Sequence, residues 1–137
     1  MTMKKLLVAA GVAAVSFASV GADVAVSPSG GPVTLPDGTV IATSYTTVRA
    51  GWNAVTDGAT LWIDDGTYVI EPAANKDMFY TQKSFTVRGV HGAEETVLDF
   101  KRTADDDSAK WCFYINGSGC SFDGLTIANA CCSGSFS

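Results

Sequence analysis

Val55-Thr56-Asp57-Gly58-Ala59-Thr60-Leu61-Trp62-Ile63, followed closely by Asp65-Gly66-Thr67-Tyr68, decides how the fold is read. A short amphipathic segment ends at a glycine stop, runs into a brief apolar strand, turns at Asp-Gly and enters a second strand. Upstream, Val48, Trp52 and Val55 fall at i, i+4 and i+7, on one face of a helix of about ten residues. Thr46 or Thr47 can cap its start and Gly58 ends it. A helix this short persists only when its apolar face packs against something.

Downstream the chain is written as short strands and turns. Thr67–Ile70, Phe85–Arg88, Thr96–Phe100, Cys112–Ile115, Ser121–Phe122 and Leu125–Ile127 all read as strands. Asp64-Asp65-Gly66, His91-Gly92, Asn116-Gly117 and Asp123-Gly124 separate them as turns. Two pieces look like copies of one unit: Ser84-Phe85-Thr86-Val87-Arg88-Gly89-Val90 and Ser121-Phe122-Asp123-Gly124-Leu125-Thr126-Ile127. Ile63 to Val87 is a step of 24 residues and Val87 to Ile127 a step of 40, the longer one enlarged by an acidic loop over 101–110. Steps of about 20 to 50 residues belong to architectures in which no unit can bury its apolar face alone.

The N-terminus carries an export signal. Met1-Thr2-Met3-Lys4-Lys5 is basic, Leu6 to Val15 is apolar and small, and Val20-Gly21-Ala22 supplies small residues before a cleavage point ahead of Asp23. Residues 1–22 are therefore a signal peptide, and the mature protein is expected outside the cell or in its envelope. Of nine basic and 14 acidic side chains, cleavage removes Lys4 and Lys5 and no acid, leaving seven against 14. That balance excludes nucleic acid and an anionic membrane surface as partners, and admits an anionic polysaccharide only across a bridging divalent cation. No second apolar run is long enough to span a bilayer. Residues 23–44 form an N-terminal strand and turn segment, with Pro36-Asp37-Gly38-Thr39 as the turn of a small hairpin. Residues 45–137 hold the helix and the repeated strands.

Four cysteines fall late, Cys112, Cys120, Cys131 and Cys132. In an exported chain an even count permits disulfides, with three pairings open. A bridge within the Cys131-Cys132 doublet would be strained, so Cys112 and Cys120 bond to each other or to the doublet, or all four serve as small apolar residues in a β core. Their spacing, with His91 far upstream, excludes a zinc site.

In these features the chain resembles the right-handed parallel β-helix proteins of the pectin-lyase-like superfamily. The resemblance begins at Val24-Ala25-Val26-Ser27-Pro28-Ser29-Gly30 and continues through Thr47 to Val55, which looks like that family's N-terminal capping helix. Asp57 to Ile63 with Asp65 to Tyr68 looks like a first rung, Phe85 to Gly89 with Thr96 to Asp99 a second, and Gly124-Leu125-Thr126-Ile127-Ala128-Asn129 a third. Asn129 stands where such proteins stack asparagines at a turn. The resemblance implies an all-β fold, a right-handed parallel β-helix (solenoid) with a short N-terminal capping helix. It also implies rungs beyond Ser137, so the sequence is expected to be a truncated fragment or to associate end to end through an uncapped last rung.

Family members that cleave acidic polysaccharides use calcium-binding aspartates and a basic residue on the outer face of middle rungs. No such set can be placed here. Asp105, Asp106 and Asp107 are candidate calcium ligands, against the plainer expectation of a solvated acidic loop. Asp64 and Asp65 are candidates too, although an Asp-Gly turn explains Asp65 by itself. Arg88 alternates outward if Val87 points inward and is expected to pair with Asp99 or Glu94. Lys101 and Arg102 read as surface cations, and His91 as a turn residue with no nucleophile beside it. Trp52, Trp62, Tyr68, Phe79, Tyr80, Trp111 and Tyr114 suffice to line a sugar-binding surface or to fill a core. Trp62, outward on the alternating pattern, is the foremost candidate for stacking on a sugar ring. The expected role is polysaccharide binding or adhesion by an exported β-helix protein without a complete catalytic site. Two alternatives are the N-terminal part of a polysaccharide lyase or glycoside hydrolase of the pectate-lyase type and a small cysteine-stapled β domain.

Overall fold

The structure is a computed structural model, and it describes residues 21–70, 79–102, 112–116 and 119–130. Strands dominate it. In chain order they are β1 (Val24–Val26), β2 (Val33–Thr34), β3 (Val40–Ile41) and β4 (Ser44–Tyr45), then helix α1 (Val48–Ala54), then β5 (Thr60–Ile63), β6 (Gly66–Val69), β7 (Phe79–Thr81), β8 (Thr86–Gly89), β9 (Thr96–Asp99), β10 (Phe113–Ile115), β11 (Ser121–Asp123) and β12 (Thr126–Ala128).

Strands β5 to β12 do not pair with their neighbours in sequence. Each hands the chain to a different sheet, and pairing comes from the strand that arrives later. A first sheet has the order β11-β8-β5-β1-β4, a second the order β12-β9-β6, and a third pairs β10 with β7. Every pairing in these three sheets is parallel. From β5 the chain thus visits first, second and third sheet, repeats that circuit through β8, β9 and β10, and enters it again at β11 and β12. Parallel pairing demands a long connection between partners, and here the other two sheets supply it. The expectation of a predominantly β chain with parallel strands and one short helix holds.

Alternation sorts the side chains. On β5, Leu61 and Ile63 are fully buried while Thr60 and Trp62 are partly covered. Val87, Tyr68, Leu98 and Phe79 point inward from the other strands and join one apolar cluster with Val24, Val26 and Phe100. The outward Ala25 belongs to a second, smaller cluster with Val33, Leu35, Ile41 and Val90, because the antiparallel hairpin of β2 and β3 folds back over it. The hairpin turn is tied by Asp37, whose Oδ1 accepts from the Thr39 amide at 2.8 Å.

Helix α1 has seven residues, shorter than the periodicity predicts. Thr47 caps it, accepting from the Ala50 amide at 3.2 Å. It ends at the extended Val55 and not at Gly58, because the fully buried Val55 turns into the core. Gly58, at φ 76°, then makes the turn into β5. The indole of Trp52 enters the main cluster edge-on to Phe79 at 5.2 Å and Phe85 at 4.9 Å. Its Nε1 donates to the Tyr80 carbonyl at 2.9 Å.

The repeat read in the sequence is displaced in space. Ser121 stands beside Thr86 and not Ser84, Phe122 beside Val87 and Asp123 beside Arg88. Ile127 stacks on Leu98 in the second sheet, not on Val87. The displacement is by two residues, an even number, so inward and outward positions are preserved. Gly124, at φ 62°, then ends β11 and sends the chain to β12. Gly89 lies so close that a Cβ there would collide with the Gly124 carbonyl.

Gly51 tests the seat of the helix. A Cβ there would stand 2.6 Å from Val26 Cγ2 and 2.8 Å from Leu61 Cδ1. Overpacking of this kind costs about 1–3 kcal/mol, whereas Gly to Ala in a helix gains up to about 1 kcal/mol. Gly51→Ala is therefore expected to destabilise by about 1 kcal/mol and to lower the urea midpoint. A raised midpoint would contradict this packing.

Candidate functional site

Parallel register determines which outward side chains become neighbours. On the first sheet Thr60, Thr86 and Ser121 stand in one row, and Trp62, Arg88 and Asp123 in the next. Successive members of each row sit about 4.8 Å apart in a sheet of this kind. The Thr86 and Ser121 hydroxyls are 3.0 Å apart. The Arg88 guanidinium lies over the Trp62 ring, 5.6 Å from its centre, and its Nη2 meets Asp123 Oδ2 at 2.6 Å. Both side chains of that pair are about half exposed, at 49% and 55%. An ion pair so exposed contributes at most about 1 kcal/mol to stability. The pair instead fixes where the cation sits above the indole.

Asp23 anchors the other end of the row. Its Oδ1 accepts from the Thr60 amide at 2.7 Å and its Oδ2 from Trp62 Nε1 at 3.0 Å. The Trp62 ring leans on the cluster formed by Ala25 and the β2–β3 hairpin. Trp62 therefore does lie on the outer side of its sheet, as alternation predicts, but as a half-covered ring held from behind. The hairpin forms a wall at one end of a floor made of tryptophan, arginine, aspartate and hydroxyls.

Arg88 does not pair with Asp99 or Glu94. Asp99 belongs to the second sheet, and the outward neighbour of Arg88 one circuit later is Asp123. Asp99 is tied locally instead. Asn129 Nδ2 donates to it at 2.7 Å, the Lys101 amide at 2.9 Å, and Lys101 Nζ approaches at 3.1 Å. The Asn129 amide foremost, then the Lys101 backbone and ammonium, hold the Asp99 carboxyl down at about 2. Asn129 and Lys101 both take φ 51°, the left-handed conformation that asparagine adopts more readily than most residues. A general acid working near neutrality needs a carboxyl shifted the other way.

His91 Nδ1 lies 2.9 and 2.8 Å from the two carboxylate oxygens of Asp65, linking the turn after β8 to the turn before β6. His91 is thus a turn residue with a carboxylate partner. Among the described residues no three His, Cys, Asp or Glu side chains converge on a point where a metal could sit. Asp105, Asp106 and Asp107 lie outside the described residues, as do Trp111, Cys131 and Cys132. Cys112 is buried in the main cluster. Cys120 carries a free thiol, which donates to the Lys83 carbonyl at 3.3 Å, and is not bridged to Cys112. A second outward aromatic pair, Tyr80 and Tyr114, stacks across the third sheet at 5.7 Å with 16° between planes.

Asp23, Thr60, Thr86, Ser121 and Asp123 were not singled out from the sequence. Alternation about Leu61 and Val87 points Thr60 and Thr86 outward, but the rows they form appear only when the register is known. Compared with known proteins, the chain matches no family model, no curated protein and no solved structure. No helix of the described residues is long and apolar enough to cross a membrane.

Asn129→Ala removes the foremost cause of the Asp99 shift. The Asp99 pKa is expected to rise from about 2 toward the ordinary 3.8, read by NMR titration of its side-chain carboxyl. Because the folded carboxyl titrates below its unfolded value, the contact stabilises above about pH 4 and is lost as pH falls toward 2. In the variant that loss should begin at a higher pH. An unchanged Asp99 titration would show that Asn129 does not hold it.

Proposed function

We propose that this chain is an exported right-handed parallel β-helix whose outer first-sheet face binds a polysaccharide without cleaving it. The ordered return of the chain to the same three parallel sheets supports the coil. Its hand follows the strong preference of parallel crossovers for the right-handed sense. The basic, then apolar, then small N-terminus supports export.

One observation carries the binding assignment: Trp62, Arg88 and Asp123 stand in register beside the row of Thr60, Thr86 and Ser121. An indole held from behind offers an apolar platform for a pyranose face. Arginine, aspartate and hydroxyls beside it donate to and accept from sugar hydroxyls. The rows repeat along the stacking direction, which suits a polymer better than a compact ligand. The ligand is a neutral glycan, because seven basic against 14 acidic side chains on the exported chain repel polyanions. The face orients and retains the glycan; its chemistry is hydrogen bonding and stacking, with no group assigned to bond cleavage.

Native affinity electrophoresis in gels containing neutral plant or microbial polysaccharides tests this directly. At least one neutral polymer should retard the protein, and Arg88→Ala, which changes an exposed side chain, should weaken the retardation about tenfold at unchanged circular dichroism. If no neutral polymer retards the protein, the proposal fails. Retardation only by polygalacturonate and only with calcium would move the assignment to the acidic-polysaccharide lyases.

A further inference from the structure

A cavity lies away from the first-sheet face, beside the start of α1. It is half open to solvent, measures about 540 Å³ and is lined by Thr46, Arg49, Thr67, Tyr68, Ile70 and Phe79 among others. Most of that lining is apolar, and no carboxylate is among its described residues. Arg49 is the one cation among its described lining residues. Its guanidinium stacks over the Phe79 ring, 4.6 Å from the centre, which fixes the plane of the group. Its Nη2 is buried and has no hydrogen-bond partner among the described residues.

A guanidinium nitrogen out of water without an acceptor is costly. It is a group prepared for an acceptor, and the acceptor that matches a fixed guanidinium plane is a carboxylate, held by two parallel N–H···O bonds. The Tyr68 hydroxyl does not compete, because it faces the Asp64 and Val26 carbonyls at 3.0 and 3.4 Å. The Thr46 and Thr67 side chains stand exposed at the rim.

We infer that this cavity is a binding site for a small organic carboxylate, with Arg49 holding the carboxylate and the Val69 and Ile70 surface holding a compact apolar body. The volume falls in the range of small-molecule sites and not of a polymer groove. The site is therefore separate from the glycan face, and either assignment stands if the other fails. A body this small on a single charge binds modestly, and its selectivity rests on the charge.

Benzoate and its neutral isostere benzamide separate charge from shape. Titrated into the full chain and followed by amide NMR shifts, benzoate should perturb Val48, Thr67 and Tyr68. Benzamide should bind at least about tenfold more weakly, the loss of a charge-assisted pair. Arg49→Met should bring benzoate down to the affinity of benzamide. Equal affinity of the wild-type protein for the two ligands, or no perturbation by benzoate, overturns the site; neither readout depends on the variant folding. A folded Arg49→Met protein that still prefers benzoate overturns the role of Arg49.

Discussion

The indole of Trp52 is the contact on which the rest of the structure depends. It reaches from a helix too short to stand alone into the aromatic side chains of successive circuits. Phe79 and Phe85 meet it edge-on, and Phe113 and Phe122 lie 5.5 and 6.3 Å away. Phe113 in turn stacks on Phe79 and meets Phe122 edge-on. One side chain thereby ties α1 to β7, β10 and β11 and to the residue before β8. Truncating a buried tryptophan costs about 3–5 kcal/mol, a large share of the roughly 5–15 kcal/mol that holds a domain together.

The same stacking that builds the aromatic interior builds the outer face. Parallel strands place like positions side by side, so an inward Leu61 meets Val87 and Val87 meets Phe122. The next position outward gives Trp62, Arg88 and Asp123 by the same step. Core and surface are two readouts of one register. Where two circuits come closest the chain uses Gly89 and Gly124, since a side chain at Gly89 would force the strands apart.

Local features were legible in the sequence because they rest on local physics. The spacing of Val48, Trp52 and Val55, the glycine turn at Gly58 and the alternation through Leu61, Trp62 and Ile63 each announce an element without help from distant residues. The register between circuits was not legible in the same way. Connections of unequal length separate the repeats, so a shift of two residues leaves the apolar pattern intact and moves every outward pairing. Hence Arg88 found Asp123, where Asp99 and Glu94 had been expected. In the sequence Asp23 only flanks a cleavage point, and its grip on Thr60 and Trp62 appears only once β1 lies beside β5. Trp62 was correctly outward, but its cover by the hairpin depends on β2 and β3 folding back. The cavity at Arg49 exists only when α1 and β6 are brought together, and no spacing in the chain reports it.

Long-range NMR contacts between strands test the central claim, the parallel register, most directly. The account predicts backbone contacts linking Leu61 with Val87 and Val87 with Phe122, and in the second sheet Tyr68 with Leu98 and Leu98 with Ile127. Contacts joining consecutive strands as antiparallel hairpins, β5 to β6 or β8 to β9, would contradict it. So would contacts placing Phe122 beside Phe85. Either result would dissolve the row of Trp62, Arg88 and Asp123.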